Sequence, residues 1–125
     1  MILDTNALSA WFDGNPQVDE LIRAQHHLAV PVVVLGEYRF GIALSRLRKD
    51  REARLQILED NATVLDIDRE TARCFASIRL ALRKAGSPIP SNDMWIAALA
   101  LQHTLPLLSR DGHFDAVAGV RRLAW

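Results

Sequence analysis

The segment Leu28-Ala29-Val30-Pro31-Val32-Val33-Val34 carries no polar side chain. A strand with one wet face alternates apolar and polar residues, whereas a strand covered on both faces reads as a continuous apolar run. The segment is therefore expected to be a parallel strand with helices on either side of its sheet. Shorter runs at Met1–Leu3, Thr63–Ile67, Leu105–Leu108 and Arg122–Trp125 read as further strands. Between them, Ala7–Phe12, Val18–Gln25, Leu35–Arg48, Arg51–Glu59, Arg69–Lys84 and Asn92–His103 have helical spacing. Strand and helix alternate, which predicts an α/β fold in three α/β/α layers around a central, mainly parallel sheet. Ser91 is expected to cap the helix beginning near Asn92, Asp68 the one beginning near Arg69, and Gly86 to end the helix that reaches Lys84.

No repeat, low-complexity tract or linker-like segment interrupts the 125 residues, so 1–125 is expected to form a single domain. The lone Cys74 excludes an intrachain disulfide, and the N-terminus does not read as a signal segment. Both fit a reducing cytoplasm. The apolar run Met94–Leu101 is far too short to cross a bilayer. Net charge is zero, so the whole-molecule field gives no reason to expect nucleic-acid binding, and any such binding must be local. Arg46, Arg48, Lys49, Arg51 and Arg54 fall close together, and by themselves read as the solvated face of a helix.

In open parallel sheets the ligand site lies beyond the carboxyl ends of the strands. Asp4 follows the first strand directly. Glu37 follows Val32–Val34 and is expected in the first turn of the next helix, as is Asp93 in the helix from Asn92; Asp111 follows Leu105–Ser109. Each has a bland explanation. An acid in a first turn meets the helix dipole favourably by about 0.3–1 kcal/mol, and an Asp before Gly112 suits a turn. Those explanations must apply four times independently, whereas one metal site explains all four at once. Clustered carboxylates repel unless a cation compensates. Oxygen-only donors point to Mg²⁺, with Mn²⁺ as the alternative, and to phosphodiester hydrolysis by a metal-held water. Asn6 and Ser109 are expected to orient a carboxylate or a metal-bound water, Thr5 to brace the turn after Asp4, and Asp115 to face solvent.

The ordered set of segments resembles the PIN-domain family, and within it the toxins of VapBC-type toxin–antitoxin modules. The opening Ile2-Leu3-Asp4-Thr5-Asn6-Ala7-Leu8-Ser9 resembles the family's first-acid strand, and Val34-Leu35-Gly36-Glu37-Tyr38-Arg39-Phe40-Gly41 its second-acid helix. Asn92-Asp93-Met94-Trp95-Ile96-Ala97-Ala98-Leu99-Ala100 resembles the third, and Leu107-Leu108-Ser109-Arg110-Asp111-Gly112-His113-Phe114 the fourth. The resemblance implies that Asp4, Glu37, Asp93 and Asp111 hold Mg²⁺ for endonucleolytic cleavage of RNA. It further implies a homodimer in the bacterial cytoplasm and a cognate VapB-like antitoxin, whose C-terminal segment lies along a helical groove and sends an arginine into the acidic site. Relatives usually carry threonine where this chain has Ser109; the hydroxyl is kept.

The remaining features are assigned to structure. Trp11, Phe12, Phe40, Phe75 and Trp95 fall at core spacing, with a minority expected at a dimer or antitoxin surface, and Cys74 reads as a buried small hydrophobe. His26, His27, His103 and His113 show no metal-ligand spacing and read as bystanders, while Arg110 is a candidate contact to RNA phosphate. Three rivals are weighed. A receiver-like domain needs a lysine after its last strands, and none follows Lys84; an aspartyl-phosphate enzyme needs a second aspartate where Asn6 stands. A PIN-like binding module without nuclease activity is expected to have lost acids, and all four are present.

Overall fold

The computed structural model describes residues 1–125. Five strands, β1 (Ile2–Leu3), β2 (Ala29–Pro31), β3 (Thr63–Leu65), β4 (Leu107–Leu108) and β5 (Arg122–Leu123), form one sheet in the order β3-β2-β1-β4-β5. Every pairing is parallel, as expected. Six helices surround it: α1 (Thr5–Phe12), α2 (Pro16–Arg23), α3 (Val32–Ile42), α4 (Arg48–Asn61), α5 (Arg69–Ala85) and α6 (Ser91–His103), with a short 3-10 helix at Gly112–Ala116. No helix is long and apolar enough to cross a membrane.

Burial explains which strands are central. Ile2, Leu3, Ala29, Val30, Leu107 and Leu108 are wholly inaccessible, whereas Thr63 on β3 is exposed and both residues of β5 are half-buried. The apolar runs mark strands covered on two faces, and the more polar ones are the sheet's edges. Strand order reverses direction at β1, which has β2 on one side and β4 on the other. The crevice at the carboxyl ends of β1 and β4 is therefore the sheet's switch point.

Two boundary expectations fail. The apolar run beginning at Leu28 is strand only to Pro31, and Val32–Val34 open α3. Pro31, at φ −62° with no N–H to donate, ends the ladder and starts the helix, so its position outweighs the β preference of three valines. The cap before α6 is Pro90, with Ser91 already inside the helix. Asp68 does cap α5, accepting from the Thr71 N–H at 3.0 Å while the Thr71 hydroxyl lies 3.0 Å from the Asp68 N–H, and Gln102 of α6 donates to the same carboxylate at 3.0 Å. Gly86 ends α5 at φ +68°.

Most of the aromatic residues pack as expected. Phe12 is buried, and Phe75 stacks on Trp95 with ring centres 3.9 Å apart, joining α5 to α6. Phe40 is the exception at 85 % exposed. Helix α3 is apolar on nearly every side, so spacing alone does not specify which face turns inward; Val34, Leu35 and Tyr38 do so. Cys74 is half-buried. Within the basic cluster, Arg46, Arg48 and Lys49 are exposed, but Arg51 and Arg54 both donate to the Phe12 carbonyl at the end of α1. The Arg54 guanidinium also lies 4.3 Å from the Phe12 ring centre.

Phe114 is fully buried and anchors the segment that follows Asp111. Phe114→Ala is expected to cost about 3–5 kcal/mol of stability, the usual scale for emptying a buried aromatic site. Urea unfolding followed by circular dichroism measures it; a loss under about 1 kcal/mol would mean that this anchor is not holding the segment.

Candidate metal centre

The site is built outward from β1 and β4. Asp4 ends β1, and its N–H donates to the Leu108 carbonyl at 3.1 Å, so the strand pairing continues to the acid itself. The side chain is only 4 % exposed. One oxygen, Oδ1, accepts the Thr5 N–H at 2.7 Å, which starts α1; the other, Oδ2, accepts the Ser109 hydroxyl at 2.6 Å and the Asn6 amide at 2.7 Å.

Ser109 is wholly buried at the end of β4. While donating to Asp4, its Oγ accepts from the Asn6 amide at 3.2 Å and from the Asp111 N–H at 3.0 Å. A hydroxyl offers one donor and two acceptor sites, and all three are used. Asn6 in turn accepts the Arg110 N–H at 3.2 Å. Asn6 and Ser109 together tie the first-acid turn to the fourth-acid loop. Arg122 braces the same loop from β5, donating to the Ser109 carbonyl at 3.1 Å and pairing with Asp115 at 2.7 Å. Asp115 is exposed, as expected, and Arg122 holds its carboxyl below the usual range.

The two other acids come from helices. Glu37 accepts the Thr5 hydroxyl at 3.0 Å. It lies in the second turn of α3, because that helix begins at Val32, so the dipole explanation weakens for this residue. Asp93 lies in the first turn of α6, as expected. All four acids share one field. Burial is the main cause that pushes Asp4 above the ordinary carboxylate range, hydrogen bonds from Ser109 and Thr5 oppose it, and Asp93 and Glu37 add repulsion. Asp93 is likewise raised, first by burial and then by the neighbouring Asp111 and Glu37 charges, against a hydrogen bond from His113.

No lysine or arginine pairs with Asp4, Glu37, Asp93 or Asp111; the ion pairs made by arginine lie elsewhere. A carboxylate that is buried, repelled by neighbours and left without a cationic side chain suits a divalent ion, as does an all-carboxylate donor set. His113 was not singled out by spacing, yet its Nδ1 lies 3.2 Å from Asp93 Oδ2 and 3.1 Å from Asp111 Oδ1. The contact to Asp93 joins residues 20 apart in sequence, so a search for paired ligand spacing passes over it. Arg110 is exposed beside the site.

The chain is similar to known proteins over nearly its whole length. Residues 1–120 match the PIN domain. Ribonuclease VapC5 of Mycobacterium tuberculosis is 36 % identical over 121 residues, covering 94 % of this chain and 87 % of that protein. The crystal structure of VapBC-5 from the same organism, a member of the VapBC family of toxin–antitoxin systems, superposes with a TM-score of 0.76 at 31 % identity, covering 98 % of this chain and 94 % of that one. The fold is also that of VapBC2 from Rickettsia felis, crystallised with a DNA fragment of its promoter, at a TM-score of 0.86 and 21 % identity over 99 % of this chain and 97 % of that one.

Because the folded value of Asp93 is raised above its unfolded value of 3.8, the native state binds a proton more tightly. Its contribution to metal-free stability is present below pH 3.8 and is lost as pH rises through the folded value. In EDTA at neutral pH, Asp93→Asn should therefore melt higher than the parent protein, with the gap closing on acidification. Thermal melts across pH test this; a gap independent of pH would rule out the electrostatic cause.

Proposed function

The chain belongs to the PIN-domain family, on the branch of the VapC ribonucleases, and we propose that it is the toxin of a type II toxin–antitoxin pair, a metal-dependent endoribonuclease with Asp4, Glu37, Asp93 and Asp111 as its metal ligands. The observation that carries this reading is the buried Asp4 carboxylate, set in the repulsive field of Asp93 and Glu37 with no cationic side chain against it. The bound ion, Mg²⁺ or Mn²⁺, would supply an activated water and neutralise charge on the scissile phosphate. The protein's own residues supply position. Ser109 and Asn6 hold one oxygen of Asp4, Thr5 orients Glu37, and Ser109 also fixes the start of the Asp111 loop. A polar hollow of about 380 Å³, lined by Asn6, Ser9, Asp13, Asn15 and Arg110, adjoins these groups. The RNA strand lies there, with the Arg110 guanidinium on a phosphate flanking the bond to be cut.

The partner is a VapB-like antitoxin. Two observations support it: the structural relatives are toxin–antitoxin complexes, and α3 with the turn after it exposes Phe40, Leu44 and Leu47, the first two at 85 % and 101 %. Side chains of that kind on a water-facing surface are typical of contact sites. The chain works as one PIN unit and as a homodimer, in the bacterial cytoplasm.

Purified protein is incubated with a panel of structured RNAs in Mg²⁺, Mn²⁺ or EDTA, beside Asp4→Asn and Asp93→Asn. The expected result is cutting with either metal, none in EDTA, and a drop of at least ~100-fold in each variant, the scale on which losing one transition-state charge stabiliser acts. Cutting that survives both substitutions belongs to a contaminant. Metal binding without cutting on any RNA would favour the binding-module reading.

A further inference from the structure

The four acids do not account for His113. Its side chain is half exposed, so the ring had water available to it, yet Nδ1 is turned onto two carboxylates at once, 3.2 Å from Asp93 Oδ2 and 3.1 Å from Asp111 Oδ1. The backbone prepares this placement. The His113 N–H donates to the same Asp111 oxygen at 2.9 Å, which opens the 3-10 helix, and buried Phe114 fixes the next position. One donor atom from each of Asp93, Asp111 and His113 lies within 4.8 Å of the others. Donors about 2.1 Å from an octahedral ion stand about 3.0 Å apart when adjacent and about 4.2 Å when opposite. The observed Nδ1 separations match adjacent positions around one ion.

A nitrogen donor changes which ion such a site prefers. Mg²⁺ is hard and takes oxygen almost exclusively, whereas imidazole suits the first-row transition ions, and Mn²⁺ accepts both kinds of donor. We propose that His113 is a nitrogen ligand of the ion held by Asp93 and Asp111, and that it biases this centre toward Mn²⁺ over Mg²⁺. The inference rests on the acidic cluster being a metal centre. It assigns to His113 a role that the four carboxylates lack, because removing any of them weakens both ions alike. The competing explanation is a hydrogen-bonding clip, in which the ring holds the two carboxylates together without touching the ion.

Two measurements on the purified full chain separate these. Calorimetric titration gives the affinities for Mn²⁺ and Mg²⁺ in the parent protein, His113→Ala, His113→Gln and Asp4→Asn. Electron spin-echo spectroscopy of the Mn²⁺-loaded protein reads directly whether a nitrogen nucleus is bound to the ion. The proposal expects a ¹⁴N coupling in the parent that both His113 variants lose. It also expects a fall of at least ~10-fold in Mn²⁺ affinity, within the range known for perturbed metal sites, while Mg²⁺ affinity changes little. Because the His113 side chain is half exposed, the variants should stay folded without metal. Absence of the coupling, an equal change for both ions, or restoration of Mn²⁺ affinity by glutamine would establish the clip and overturn the proposal. Asp4→Asn keeps the two failures apart. If the parent binds neither ion, or Asp4→Asn binds both as tightly as the parent does, the metal centre itself is refuted; if Asp4→Asn loses both ions and His113→Ala changes neither, only the role of His113 falls.

Discussion

The parallel pairing of β1 with β4 is the contact on which the site depends. Ile2 faces Leu107 and Leu3 faces Leu108, all four wholly buried at the middle of the sheet. Because the strands run the same way, they end at the same edge, and the next residue on each is polar: Asp4 on one and Ser109 on the other. Side chains alternate faces along a strand, so a slip of one residue would turn Ser109 away from Asp4 and force apolar and polar positions to exchange. Register, core and site are fixed together. The hydrogen bond of 2.6 Å between Ser109 and Asp4 is the first polar consequence of that register.

From this pair the other elements follow in a definite order. Asp4 opens α1, whose first residue, Thr5, reaches Glu37 on α3. The Ser109 hydroxyl receives the Asp111 N–H, Asp111 opens the 3-10 helix, and that helix presents His113 to Asp93 on α6. Asp4 and Asp111 are thus placed by capping turns, and Glu37 and Asp93 by the helices α3 and α6 that carry them. Such turns place side chains precisely because they satisfy backbone donors that would otherwise be left open at helix starts. The polar network is costly to bury, and around Asp4 and Ser109 that cost is offset by hydrogen bonds to both Asp4 oxygens and to the Ser109 hydroxyl.

Which parts of this were legible depends on how local their causes are. The fully apolar strands announced a two-sided sheet, and parallel strands imply a shared edge, so the gathering of Asp4, Glu37, Asp93 and Asp111 followed from order along the chain. The start of α3 was not legible. Three valines after Pro31 favour a strand locally, and the break that Pro31 makes in the ladder, together with the packing of Val34, Leu35 and Tyr38 into the core, makes them helical. The exposure of Phe40 escaped for a related reason: a helix apolar all round carries no mark of its inner face. His113 escaped because its partners arrive through tertiary approach of α6 and the 3-10 helix. Arg51 and Arg54 read as surface charge because nothing in their spacing points to the far end of α1.

Zero net charge conceals a strong segregation. Arg39 is held between Glu52 and Glu59, Arg51 pairs with Asp13, and Arg122 with Asp115, so none of these cations pairs with a carboxylate of the acidic cluster. The cleft keeps a negative field that the composition does not reveal. A polyanionic strand approaching that field would be repelled without a divalent ion, and phosphate oxygens joining the ligands of such an ion would hold it more firmly. On the proposed function, binding of metal and of nucleic acid would therefore be coupled with positive sign, and such a coupling is reciprocal. The same repulsion that weakens the metal-free fold would make substrate binding conditional on the ion of the proposed reaction.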